Sequence, residues 1–147
     1  TWVRKLSKIV DYQYGKGFGD KLIDNAIRYK KNRFNTKMLF FNRETNEKIG
    51  SFRFATGKLR LTIEGIEKIA FNDEFTNYLI FDGNSIRGNT LFHPGIKKYQ
   101  PSLLPNQNVC IFDKNKENVI AVGDMIVSSQ FIKNSTSGRI VKLYETK

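Results

Sequence analysis

Few residues in this 147-residue sequence could do chemistry. His93 is the only histidine and Cys110 the only cysteine. That excludes an intrachain disulfide, a thiolate zinc cluster and most nucleophile–histidine pairs. Cys110 stands in Val109-Cys110-Ile111-Phe112, an apolar run in which a buried, inert thiol is expected. His93 lies between Phe92 and Pro94. It reads either as a loop histidine packed on Phe92 or as a ring that stacks on, or hydrogen-bonds to, a nucleic-acid base. General acid–base catalysis needs a second positioned group. Asp20, Asp24, Asp73 and Glu74 offer carboxylates, but no spacing pairs them. Gly15-Lys16-Gly17-Phe18-Gly19 has amides that could cradle a phosphate. It follows no strand and lacks the Gly-Lys-Ser/Thr ending, so a structural turn is the expected reading and no cofactor is implied.

The abundant chemistry is cationic. The net charge is +11, with +7 on residues 1–74 and +4 on residues 75–147. A polyanion is the partner such a balance fits, nucleic acid first and acidic lipid second. No basic amphipathic helix supports the lipid reading. No apolar run approaches the ~18 residues of a membrane span. Thr1–Leu6 has no signal-peptide pattern. With one cysteine, a reducing, cytoplasmic setting is expected.

These residues need elements to position them. Val3, Leu6 and Ile9 or Val10 recur at helical spacing over Trp2–Val10. Asp20 is expected to cap a helix from Lys21 to about Lys31, with Leu22, Ile23, Ala26, Ile27 and Tyr29 as its apolar face and Lys30, Lys31 and Arg33 at its end. Strands are expected over Lys37–Asn42, Lys48–Ala55 and Lys58–Leu61, followed by a helix capped by Thr62 and running to Ala70. Alternation on the second strand puts Phe52 and Phe54 inward and Arg53 outward. Arg53, Lys58 and Arg60 would then share a surface with Lys30, Lys31 and Arg33. Phe71–Glu74 is a polar joint, which divides the chain into residues 1–74 and 75–147. The second part reads as short strands: Tyr78–Phe81, Thr90–Phe92, Val109–Phe112, Val119–Val127 and Arg139–Tyr144. The Asp113–Asn118 hairpin joins the third and fourth, and the spacing suggests a small barrel.

Three segments of the second part resemble the PUA domain, an RNA-binding module of pseudouridine synthases and archaeosine transglycosylases. They are Gly88-Asn89-Thr90-Leu91-Phe92-His93-Pro94-Gly95-Ile96, then Leu104-Pro105-Asn106-Gln107-Asn108-Val109-Cys110-Ile111-Phe112, then Ile120-Ala121-Val122-Gly123-Asp124-Met125-Ile126-Val127-Ser128-Ser129 with Gly138-Arg139-Ile140-Val141-Lys142. Asn106-Gln107 stands where the family usually has Gly-Asp. Tyr12–Leu22 and Gly57–Thr62 with Gly65 resemble the small α+β domain that precedes PUA in archaeal tRNA-guanine transglycosylases and archaeosine synthases. Nothing resembles the catalytic domain of those enzymes.

The resemblance implies a small α+β domain followed by a mainly β PUA pseudo-barrel. It also implies an RNA grip around Arg87, Gly88, Gly95, Lys97, Lys98, Arg139 and Lys142, with His93 between its parts. With Lys30, Lys31, Arg33, Arg53 and Arg60 of the first part, these are the candidate RNA-binding residues. The expected function is a non-catalytic module that docks tRNA for a separate tRNA-modifying subunit. A free-standing PUA protein of translation, a small enzyme and a protein-interaction module are the alternatives.

Overall fold

The computed structural model describes residues 2–24 and 27–147. The chain divides into two compact units, Thr1–Phe75 and Thr76–Lys147. In the first unit, helix α1 (Trp2–Tyr14) and the short α2 (Phe18–Leu22) precede β1 (Ile27–Lys31), β2 (Lys37–Asn42), β3 (Lys48–Arg53) and β4 (Lys58–Leu61), with α3 (Ile63–Ala70) after them. The four strands form an antiparallel meander in chain order. Side chains alternate across a sheet, and here one face is core: Met38, Phe40, Leu59 and Leu61 are buried. Leu6, Val10 and Tyr14 of α1 and Ile63, Ile66 and Ile69 of α3 are buried too. Trp2 packs on Phe52 and Phe54, the inward side chains of β3 and its continuation, with ring centroids 5.9 and 5.7 Å away.

Local signals account for most of these elements. The Thr62 hydroxyl accepts from the amide of Gly65 at 3.1 Å and donates to the carbonyl of Lys48 at 2.7 Å, so it caps α3 and ties it to β3. Gly65 lets the helix lie on the sheet, because a Cβ there would sit 2.2 Å from the carbonyl oxygen of Ile49. The Gln13 side chain donates to the carbonyl of Leu59 at 2.9 Å and accepts from its amide at 3.0 Å. It thereby acts as one residue of a missing strand on the β4 edge.

The expected helix from Lys21 to Lys31 is absent. Helix α2 ends at Leu22, and Ile27–Lys31 pairs with β2 from Ile27↔Asn42 to Lys31↔Met38. Ala26, placed on that helix's apolar face, lies outside the described residues. Ile27-Arg28-Tyr29-Lys30 carries a two-residue alternation, and the cross-strand partners of β2 decide in its favour. The turn between the two strands is built by Asn32, whose Oδ1 accepts from the amides of Thr36 and Lys37 at 2.8 and 3.0 Å, and by Asn35 at φ +57°. Asp20 is not a helix cap either. Asp11 takes that role, its Oδ1 accepting from Gly17 at 3.1 Å and Gly19 at 2.6 Å.

The second unit holds β5 (Tyr78–Phe81), β6 (Thr90–Phe92), a 3-10 turn (His93–Gly95), β7 (Ile96–Tyr99), β8 (Asn108–Phe112), β9 (Val119–Met125), α4 (Ser129–Asn134) and β10 (Arg139–Thr146). Strand β7 and helix α4 were not expected. The six-stranded sheet runs β6-β10-β9-β8-β5-β7. Its two edge strands are consecutive in the chain and only His93-Pro94-Gly95 separates them. The sheet must therefore curl until its edges approach each other, which hides them and encloses a core of Leu79, Leu91, Val109, Ile111, Ile140 and Val141. The Ser128 hydroxyl caps α4 at the amide of Phe131, 3.2 Å away. Ser129 accepts from the amide of Leu103 at 2.9 Å and donates to the carbonyl of Gln100. In the turn before β8, Asn106 adopts φ +69° and the Gln107 side chain accepts from the amide of Leu104 at 2.9 Å. Asn tolerates the left-handed region, so Asn106 can hold this turn without a glycine.

Candidate nucleic-acid interface

The sequence-predicted cations fall into three places. In the second unit, Arg139 and Lys142 project from β10, exposed, opposite Phe92 and Thr90 of β6. A bulge between Arg139 and Val141 buries Ile140 and Val141 together and leaves both cations outside. The amide of Leu143 donates to the carbonyl of Asn89 at 2.8 Å, which sets Gly88 beside this strand. Gly88 holds φ +84° with open space where a Cβ would go. Arg87 is exposed next to it. Gly88, Arg139 and Lys142 thus border one edge of the sheet.

Lys97 and Lys98 lie on β7, the other edge strand. The register slips here, with Ile80 opposite Lys98 and Phe81 opposite Ile96, so Lys97 is the extra residue of a bulge and both lysines are exposed. The Lys97 ammonium donates to the carbonyl of Lys114 at 2.9 Å, on the β8–β9 hairpin. Gly95 packs under Phe81, where a Cβ would meet the ring at 2.7 Å. His93 is half-buried, and its Nε2 lies 2.8 Å from the carbonyl of Ile132. A carbonyl only accepts, so Nε2 carries the proton and His93 joins the 3-10 turn to α4. Its amide donates to the carbonyl of Gly138 at 2.9 Å.

In the first unit, the face of the meander opposite its core is cationic. The register places Lys37, Arg53 and Lys58 side by side on one rung, Lys30, Leu39, Ser51 and Arg60 on the next, and Arg28, Phe41 and Lys48 on a third. Lys30, Arg53 and Arg60 therefore share a surface. Lys31, one residue along, alternates to the other side, and Arg33 stands in the β1–β2 turn with its guanidinium 5.6 Å from the ring of exposed Phe34. Arg28, Lys37 and Lys48 were missed. Arg28 follows once Ile27–Lys31 is known to be a strand, Lys37 from the alternation of β2 itself, and Lys48 from its pairing with Phe41. Lys37, Ser51, Arg53, Thr56, Lys58 and Arg60 line a depression of about 90 Å³.

The nucleophile and phosphate-loop candidates are accounted for by packing. Cys110 is fully buried, and that burial pushes its thiol far above the usual range. Gly17 and Gly19 give their amides to the Asp11 carboxylate, so an internal anion occupies the position a phosphate would take. A Cβ on Gly19 would lie 2.0 Å from the carbonyl oxygen of Ser7, which makes that glycine a close-packing residue. Among the described residues, no group of three His, Cys, Asp or Glu could hold a metal ion, and no helix is long and apolar enough to cross a membrane.

No family model matches the chain. It is similar to the tRNA-guanine(15) transglycosylase of Methanosphaera stadtmanae, 27% identical over 151 residues, which cover 97% of this chain and 22% of that protein. The enzyme of the same name from Thermoplasma volcanium is 24% identical over 148 residues, covering 97% of this chain and 23% of that one. The chain thus spans under a quarter of the length of the curated relatives it matches, aligned with their C-terminal region. Among solved structures, a conserved PUA domain protein from Thermoplasma acidophilum superposes over 97% of this chain and 86% of that one, with a TM-score of 0.68 and 13% identity. The fold is a small α+β unit followed by a PUA pseudo-barrel, and the chain resembles the C-terminal region of archaeal tRNA-guanine transglycosylase.

Proposed function

We propose that the chain is a non-catalytic tRNA-docking module that serves archaeosine-type modification by a catalytic unit on a separate chain. The observation that carries this reading is the alignment. Essentially all of this chain matches the C-terminal region of two enzymes that act on tRNA, and the matched region has the PUA fold. The chemistry agrees with it. Cys110 is sealed in the core and His93 spends its Nε2 proton on a backbone carbonyl, whereas cations are plentiful on the surface. Phosphate contacts set position and register without reading bases. Arg139 and Lys142, with Arg87 and Gly88 beside them, form the grip on the second unit, where the glycine lets two backbones approach. Lys97 and Lys98 extend it from the other edge strand.

Two measurements test the reading. Filter binding of full-length tRNA between roughly 50 and 200 mM salt should show about a 10³-fold loss of affinity if about six phosphates are contacted. A flat response would mean that the charge is not an RNA footprint. In a base-exchange assay, added chain should lower the apparent KM of a catalytic subunit for full-length tRNA, with little change for a short stem-loop. That is the signature of raised local concentration. Turnover by this chain alone would refute the non-catalytic reading. Tight tRNA binding with no effect on the catalytic subunit would favour a role in translation.

A further inference from the structure

We infer that the outer face of the first unit's four-stranded sheet is a second RNA site, built for a single-stranded segment and separate from the grip on the PUA unit. The inference rests on the proposed RNA-binding function and adds a place and a class of RNA to it. None of the four strands, Ile27–Lys31, Lys37–Asn42, Lys48–Arg53 and Lys58–Leu61, contains an acidic residue. Seven cations lie on the outer face: Arg28, Lys30, Lys37, Lys48, Arg53, Lys58 and Arg60.

The register also sets like charges side by side. Like charges directly opposite each other on neighbouring strands are destabilising, yet Lys37, Arg53 and Lys58 occupy one rung on three adjacent strands. A bound phosphate relieves that repulsion, and the depression of about 90 Å³ bordered by these three residues with Arg60, Ser51 and Thr56 has the size and donors for one phosphate group. Rungs repeat roughly every 7 Å along a strand, so the two cationic rungs can follow a backbone rather than hold a single ion.

The third rung suits a base. The Arg28 guanidinium lies 4.6 Å from the centroid of Phe41, and its Nη2 donates to the Asn46 side chain, so the planar group is held before any ligand arrives. Phe41 and Leu39 are only half-buried, which leaves an apolar strip between the cations. Unpaired bases stack on aromatic rings and on arginine planes, whereas paired bases cannot. Cationic rungs beside a pre-set stacking ledge therefore favour a single strand over a duplex. The ledge sits four residues along β2 from the phosphate depression, roughly 13 Å away, a footprint of a few nucleotides.

The test uses the full chain, a fluorescent U12 oligoribonucleotide, its duplex with A12, and full-length tRNA. The variant Lys37→Gln/Arg53→Gln/Lys58→Gln/Arg60→Gln should bind U12 at least ten-fold more weakly at about 50 mM salt. Its salt slope should be shallower by about 1.4, the value for two lost contacts to a single strand. Without RNA it should still unfold cooperatively, followed by the fluorescence of Trp2, so that weaker binding is not loss of the fold. Arg28→Ala should weaken U12 binding with no comparable change in salt slope. Equal U12 binding by wild type and the four-site variant would overturn the inference, as would tighter binding of the duplex than of U12. Displacement of U12 by a few millimolar inorganic phosphate would also overturn it, by assigning the depression to a small anion. If the wild type binds neither U12 nor tRNA, the RNA-binding function itself fails. If tRNA binding is lost on changing Arg139 and Lys142 while the sheet variant binds U12 and tRNA normally, the second site alone is refuted.

Discussion

Replacing Asp11 with alanine isolates the internal anion that holds the glycine-rich turn. The Asp11 carboxylate accepts from two amides, Gly17 at 3.1 Å and Gly19 at 2.6 Å, and both belong to the start of α2. Hydrogen bonds to a charged group contribute about 1.5–3 kcal/mol each when buried, and a lost N-terminal cap costs about 0.5–2 kcal/mol. One bond here is exposed and the other half-buried, so the pair is worth about 2 kcal/mol. Asp11→Asn keeps an acceptor oxygen and loses only the charge, so it should cost about half as much. The sole tryptophan provides the assay. Trp2 packs on Phe52 and Phe54 within the first unit, so its fluorescence reports that unit's unfolding. With a urea slope of about 1 kcal/mol/M for a unit of this size, the midpoint should fall by about 2 M for Asp11→Ala and about 1 M for Asp11→Asn. Neither variant should acquire binding of a nucleoside triphosphate. An unchanged midpoint for Asp11→Ala would refute the structural account of the turn. New nucleotide binding would revive the phosphate-loop reading.

Arg139→Glu together with Lys142→Glu should weaken tRNA binding by more than ten-fold while leaving the thermal midpoint within a few degrees, because both side chains are exposed; circular dichroism and filter binding check the two halves of that statement. The Asp113 carboxyl sits below the usual carboxylate range, chiefly through the hydrogen bond from the Asn118 side chain and then through the amides of Glu117 and Asn118. A carboxyl depressed in the folded state contributes stability above its unfolded pKa and loses it as pH falls through the folded value. Wild type should therefore lose more stability than Asp113→Asn below about pH 4, measured by amide exchange at Asn118. Cys110, fully buried, should resist a thiol reagent in buffer and react at once in urea, and rapid labelling of the native chain would contradict its place in the core.

Much of this fold is legible in the sequence because it depends on local chemistry. Lys37–Asn42 and Lys58–Leu61 alternate cleanly, and Thr62 caps the helix that follows it, since a threonine three residues before a glycine amide needs only its own backbone to reach it. The alternation of Phe52, Arg53 and Phe54 fixed which side of β3 is core. Ile27–Lys31 was different. Its apolar residues fit a helical face as well as a strand, and the hydrogen-bonding partners on β2, from Met38 opposite Lys31 to Asn42 opposite Ile27, made it a strand. Asp11 could not be recognised as the cap of α2, because the contact spans a turn whose path depends on Gly15 at φ +128° and Gly17 at φ +93°. Likewise, the sequence does not show that the carbonyl of Lys114 holds the Lys97 ammonium, because that contact depends on the β8–β9 hairpin lying beside β7. Composition by itself establishes that the molecule is cationic. Only the register of four strands puts Lys37, Arg53 and Lys58 on one rung, because charge is a property of each residue and a charged surface is a property of residues that pairing brings together.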